Sequence, residues 1–225
     1  MTEFPSELKD TILERFDREL KNLVRLVFFT QELECTFCAA THELIDMVAS
    51  LSEKLSLEVY DFIKDKDKAD ELGIDKIPAL AILGDVDHGF RFYGIPSGYE
   101  FQTLVEAIIL ASGADNGLPP EAVKALNKAV TKPVEIQVFV IPTCPVCPLV
   151  GTMGLQFAAA NSKVSIKIVE IAEFPHLAVK YDIIGTPKTV INETVTFEGL
   201  VPPAQFINHI QQASQGSPTG ISPTI

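Results

Sequence analysis

The chain has 225 residues, 47% of them hydrophobic, and a formal net charge of −12. That length suits one large domain or two of about 110 residues, with enough apolar content to bury a core without staples. The 18 Lys and Arg against 30 Asp and Glu form no dense basic stripe, which argues against nucleic acid as a ligand. No stretch of about 18 apolar residues occurs, so no membrane partner is expected. The acidic start MTEFPSELKDTILERF lacks the basic and apolar regions of a secretory signal, so the expected location is the cytoplasm.

An amphipathic helix is predicted over 6–22 (SELKDTILERFDRELKN), then an apolar strand over 23–30 (LVRLVFFT). The pair Cys35-Thr36-Phe37-Cys38 follows, with a helix over 38–55, a strand over 57–63 (LEVYDFI) and a short helix over 68–73 (KADELG). Strand, helix and strand in succession imply a parallel pair. Two further strands, ALAILGD and GFRFYG, read as a hairpin, and a last helix closes the unit. Residues 112–120, SGADNGLPP, read as a linker.

The same order then recurs. A helix over 119–130 opens on Pro119 and Pro120, a strand covers 134–141, and Cys144-Pro145-Val146-Cys147 follows. A helix over 147–161, a strand over 164–171, a short helix over 175–181, a shorter hairpin and a closing helix complete the second copy. The end of the chain, rich in Ser, Gly and Pro, reads as a tail that frays. Cys35 and Cys144 stand 109 positions apart, as do Pro78 and Pro187, and Asp61 and Glu170. The expected units are therefore 1–115 and 116–215, with 216–225 as a flexible tail.

All four cysteines lie in C-x-x-C pairs. Each first cysteine is expected where a buried strand gives way to a helix, whose free N–H groups and partial positive charge favour a thiolate. Zinc is the rival reading. Such sites usually need two pairs close together, whereas these lie more than a hundred residues apart. His42 would offer a third ligand in the first copy, and the second copy has no counterpart. A purely structural cross-link is also disfavoured, because so short a loop constrains little of the unfolded chain.

A strand, a C-x-x-C pair and a proline 43 residues after the first cysteine, twice in one chain, resemble the thioredoxin fold. KYDIIGTPKTV is especially similar to the thioredoxin segment around its proline, and DKIPALAIL is a looser match. Two such units in one small acidic chain resemble the protein disulfide oxidoreductases of thermophilic archaea and bacteria, which are glutaredoxin-like. The resemblance implies an α/β protein of two tandem thioredoxin-like folds, each a mixed four-stranded sheet flanked by helices.

It also implies a dithiol–disulfide oxidoreductase acting on protein substrates, with no bound cofactor. Its partners would be a thioredoxin reductase-like electron donor and, as one client, a peroxiredoxin. Cys35 and Cys144 would attack, and Cys38 and Cys147 would resolve the mixed disulfide. Pro78 and Pro187 would be cis, turning the backbone of Ile77 and Thr186 toward an extended substrate strand. The alternatives are an electron relay with one client-facing pair and a non-catalytic zinc-binding adaptor.

Two departures stand out. The chain has no Trp, and the buried Asp that thioredoxins carry six residues before the first cysteine is replaced by Phe29 and Val138. Asp61 and Glu170 are the positional candidates for proton handling, although a solvent-exposed carboxylate at a strand end is the simpler reading. His42, His88, His176 and His209 are expected at the surface without a role. Glu32 and Glu34 stand just before Cys35, while no acid is adjacent to Cys144, so the second pair is expected to have the lower thiol pKa and to be the better oxidant.

Overall fold

The computed structural model describes residues 6–216. The tail is therefore described only at Gly216; the expectation that it frays falls on 217–225, outside the described residues, as do residues 1–5. The elements are α1 (Ser6–Glu19), β1 (Val24–Thr30), α2 (Cys38–Ala49), β2 (Leu55–Asp61), α3 (Lys66–Glu71), β3 (Ala79–Leu83), β4 (Phe90–Tyr93) and α4 (Glu100–Ala111). They continue as α5 (Pro120–Ala129), β5 (Val134–Val140), α6 (Cys147–Ala160), β6 (Val164–Glu170), a 3₁₀ turn (Ile171–Glu173), α7 (Pro175–Lys180), β7 (Lys188–Ile191), β8 (Val195–Glu198) and α8 (Pro203–Gln215).

Most boundaries follow from local chemistry. Glu7 near the start of α1 and Arg18 near its end complement the helix dipole. Pro120 and Pro203 open α5 and α8, where a missing N–H costs nothing, and Gly216 closes α8 with φ 74°. The helix expected to reach residue 55 stops at Ala49. Ser50 Oγ donates to the Met47 carbonyl and Ser52 Oγ accepts from the Lys54 N–H, and such local bonds compete with continued helix.

All eight strands form one sheet in the order β2-β1-β3-β4-β6-β5-β7-β8. β1 and β2 pair in parallel, as do β5 and β6, while β3 and β7 run antiparallel to their neighbours. The two halves meet where β4 pairs with β6 in parallel, Phe90 opposite Ile166 and Phe92 opposite Ile168. Following these directions across the sheet, β1 and β5 point the same way, so both cysteine pairs open on the same rim.

Side chains alternate between two cores. Leu26 and Phe28 of β1, with Ile136 and Val138 of β5, face a layer that includes α1, α2, α4, α5, α6 and α8. Val27, Phe29 and Phe139 face the opposite side, covered by α3 and α7. Phe28 and Phe139 are fully buried, each stabilising the fold by about 2–3 kcal/mol relative to exposure.

Candidate redox sites

Each pair is placed by the strand before it and the helix after it. The helices α2 and α6 begin at the second cysteine of each pair, as the sequence predicts. Cys35 and Cys144 lie in the preceding turn, and Pro145 lies there too. Both pairs are closed as disulfides with Cα atoms 5.5 Å apart. Among the described residues, no group of three or more His, Cys, Asp or Glu could hold a metal.

The prolines sit beside the pairs by register. Phe29 pairs with Ala79 and Phe139 with Lys188, which sets Pro78 next to the end of β1 and Pro187 next to the end of β5. The Ile77–Pro78 and Thr186–Pro187 bonds are cis. In the second site the Thr186 carbonyl oxygen is 3.6 Å from Cys144 Sγ. The Pro78 and Pro187 carbonyls accept from Gly94 and Gly199, at 2.9 and 2.8 Å.

The sites differ in exposure. Cys144 is 8% exposed and Cys147 fully buried, whereas Cys35 is half-buried among exposed Glu32, Leu33 and Glu34. The Cys147 N–H donates to Cys144 Sγ at 3.2 Å. That bond, at the N-terminus of the 14-residue α6, favours negative charge on Cys144 once the pair is reduced.

The second site is partly built by the first half of the chain. Tyr99 N–H donates to the Pro142 carbonyl at 2.9 Å. Gly98, at φ 60°, lies so close to Pro142 that any Cβ would collide with that carbonyl. Further along, Gly151 on α6 lets α4 approach; a Cβ there would stand 2.9 Å from Thr103 Cγ2. Between these anchors lies Glu100, only 1% exposed. Neither of its carboxyl oxygens has a hydrogen-bond partner, and burial pushes its pKa up to about 7. The Thr103 hydroxyl tempers that shift but is not within hydrogen-bonding geometry. Sequence reading missed Glu100 because it sits 44 residues before Cys144 in the other half, and an acid in the first turn of a helix is an ordinary feature.

The acids singled out by position do something else. Asp61 accepts from the Ile63 and Lys64 N–H groups at 3.0 and 2.8 Å and pairs with Lys64 Nζ at 3.4 Å. These contacts, the Lys64 N–H first, hold its pKa below the usual carboxylate range. Glu170 is not exposed. It is buried, which raises its pKa, and it accepts from the Ala172 and Glu173 N–H groups at 3.2 and 3.0 Å, capping the 3₁₀ turn. Glu173 accepts from the Ile95 N–H at 2.7 Å across the junction of the halves, and burial, with Glu170 nearby, pushes its pKa up to about 7. The histidines also depart from expectation: only His176 is exposed, while His42, His88 and His209 are half-buried.

Comparison with known proteins agrees with this geometry. The thioredoxin domain family model matches residues 134–212. A probable thioredoxin of Methanothermobacter thermautotrophicus is 36% identical over 87 residues, which span 93% of that protein and 38% of this chain. The chain belongs to the thioredoxin family. This thioredoxin-family chain also superposes on the crystal structure of a protein disulfide oxidoreductase from Aeropyrum pernix, with a TM-score of 0.86 and 26% identity, covering 96% of each chain. It is 24% identical over 151 residues to a Bacillus subtilis NADH dehydrogenase; that match takes 66% of this chain and spans 27% of the relative's length. Thioredoxin-like folds with two C-x-x-C pairs at disulfide distance carry out thiol–disulfide exchange, and that is the chemistry of this chain. No helix among the described residues is long and apolar enough to cross a membrane.

Proposed function

We propose that the chain consists of two redox units, 1–115 and 116–215, each exchanging electrons with protein disulfides through its own cysteine pair. The observation that carries this reading is the closed pair between a strand end and the first turn of a helix, present twice on one rim. Cys35 and Cys144 attack the client disulfide, giving a mixed disulfide and a client thiolate. Cys38 and Cys147 then lose a proton and displace the client from the first cysteine. Ile77 with Pro78, and Thr186 with Pro187, lie at the strand ends beside the pairs, where an extended client segment can hydrogen-bond to the free backbone.

In the second unit Glu100 takes the proton of Cys147. It is buried at the start of α4, directly after the Tyr99–Pro142 contact, and its pKa of about 7 suits proton exchange near neutral pH. It enters from the first unit, so the second site depends on the junction.

The redox group is the cysteine pair itself, with no further cofactor. A flavoprotein of the thioredoxin reductase kind supplies the electrons; the partial match to a protein named NADH dehydrogenase supports a supply that begins at reduced nicotinamide. A peroxiredoxin is one client, and the cytoplasm is the working compartment. Insulin reduction and reactivation of scrambled ribonuclease, run on wild type beside Cys35→Ser and Cys144→Ser, test the reading. Turnover in wild type with a loss in each variant is expected. Absence of thiol-dependent turnover in wild type defeats it, and loss in one variant only, with the other merely failing to recharge, turns it into a relay.

A further inference from the structure

Among the matched positions at which the two units differ, one lies a single helical turn beyond each pair. Four residues after the second cysteine, α2 carries His42 and α6 carries Gly151. In the second unit the missing side chain admits α4, whose Thr103 Cγ2 would stand 2.9 Å from any Cβ at Gly151. In the first unit the side chain is present and faces a cavity of about 410 Å³ that also touches Cys35 and Cys38. Helical side chains lean toward the N-terminus, so residue 42 lies over the turn that holds Cys38.

The His42 ring stacks on Phe28, with centroids 5.5 Å apart, which fixes its plane. Among the described residues neither ring nitrogen has a protein hydrogen-bond partner. A histidine kept only for packing needs no opening onto the disulfide.

We infer that His42 is the proton acceptor for Cys38 in the first unit, a role that rests on the exchange chemistry proposed above. In the mixed disulfide, the imidazole takes the proton from Cys38 Sγ. The thiolate attacks Cys35 Sγ, the Cys35–Cys38 bond forms and the bond from Cys35 to the client sulfur breaks. The departing client thiolate takes the proton from the imidazolium. The two electrons given to the client come from the cysteine pair, which an external dithiol or reductase re-reduces.

The other titratable groups around this cavity are poorly suited. Asp61 is committed to two backbone N–H groups and to Lys64, and its pKa is lowered. Lys64 is the cation of that pair. The Tyr60 hydroxyl donates to Glu58 at 3.1 Å, which raises its pKa. Glu32 is exposed to solvent. Imidazole is the side chain type that exchanges protons between pH 5 and 8.

The test uses the full chain with Cys144→Ser and Cys147→Ser, so that only the first pair reacts. The reduced protein is mixed with a small aromatic disulfide, and aromatic thiolate release is followed from pH 5 to 9. The first equivalent reports attack by Cys35 and the second reports resolution by Cys38. His42→Asn and His42→Gln should leave the first phase within about twofold and slow the second roughly tenfold or more at pH 7. Added imidazole should restore the second phase in His42→Ala. An unchanged second phase overturns the inference. So does an equal fall of both phases at every pH without imidazole rescue, which marks a packing role. If the parent releases no second equivalent at all, the exchange reading itself fails and takes this inference with it.

Discussion

Tyr99 donates its backbone N–H to the carbonyl of Pro142 at 2.9 Å, so the loop before α4 in the first half holds the turn that leads into Cys144. Gly98→Ala tests this link. The substitution forces a Cβ onto the Pro142 carbonyl at a positive φ, which costs about 1–2 kcal/mol before the collision is counted. Exchange at Cys144 should fall while exchange at Cys35 holds. Urea denaturation and site-resolved thiol labelling would show both effects.

Glu100 makes stability depend on pH in a defined direction. Its folded pKa of about 7 lies above that of an ordinary carboxyl, so the folded state holds the proton more tightly than the unfolded state. Its contribution is full below about pH 4.3 and is lost as pH rises through about 7. Glu173, also at about 7, acts in the same sense. Urea midpoints of wild type should therefore drop across this window, and Glu100→Gln should flatten the curve in part. The same variant should slow resolution by Cys147 at pH 7 by about 10²-fold. An unaltered midpoint curve and an unaltered rate would remove Glu100 from the scheme.

Gly151→Val should destabilise the α4–α6 contact by about 1–3 kcal/mol, because the new side chain meets Thr103 Cγ2. Thr103→Ala should recover part of that loss. A double-mutant cycle in urea measures the coupling, and purely additive effects would show that the helices do not meet there.

The second pair should be the better oxidant. The Cys147 N–H bonded to Cys144 Sγ favours that thiolate, whereas Glu32 and Glu34 stand close before Cys35 in sequence. Equilibration with glutathione buffers, using the Cys35/Cys38 and Cys144/Cys147 double serine variants, compares the two potentials. Equal values or the reverse order would contradict the expectation.

The cysteine pairs and prolines were legible in the sequence because each motif is local and each recurs at the same offset. The parallel pair and the hairpin around each cysteine pair followed from the pattern of apolar runs. The junction was not legible, since nothing in PSGYEF announces that it packs on IPTC. Glu100 was hidden for that reason: it follows Gly98 and Tyr99, whose contacts with Pro142 of the other half no local pattern announces. Asp61 and Glu170 drew attention by matched position, yet position along a strand says nothing of which N–H groups a carboxylate will hold. His42 was set aside because only the first copy has it, and a search for matched residues discards the differences between copies.

The shared rim of the sheet has a consequence for the flow of electrons. β1 and β5 are four strand spacings apart, roughly 19 Å. Sulfurs must touch to exchange, so neither pair can discharge into the other directly, and the chain behaves as two separately charged cells of two electrons each. Equalising them takes a carrier that visits both, or a client that bridges them. A client tethered at one pair by a mixed disulfide, with a second cysteine some six extended residues away, reaches the other pair at an effective concentration in about the millimolar range.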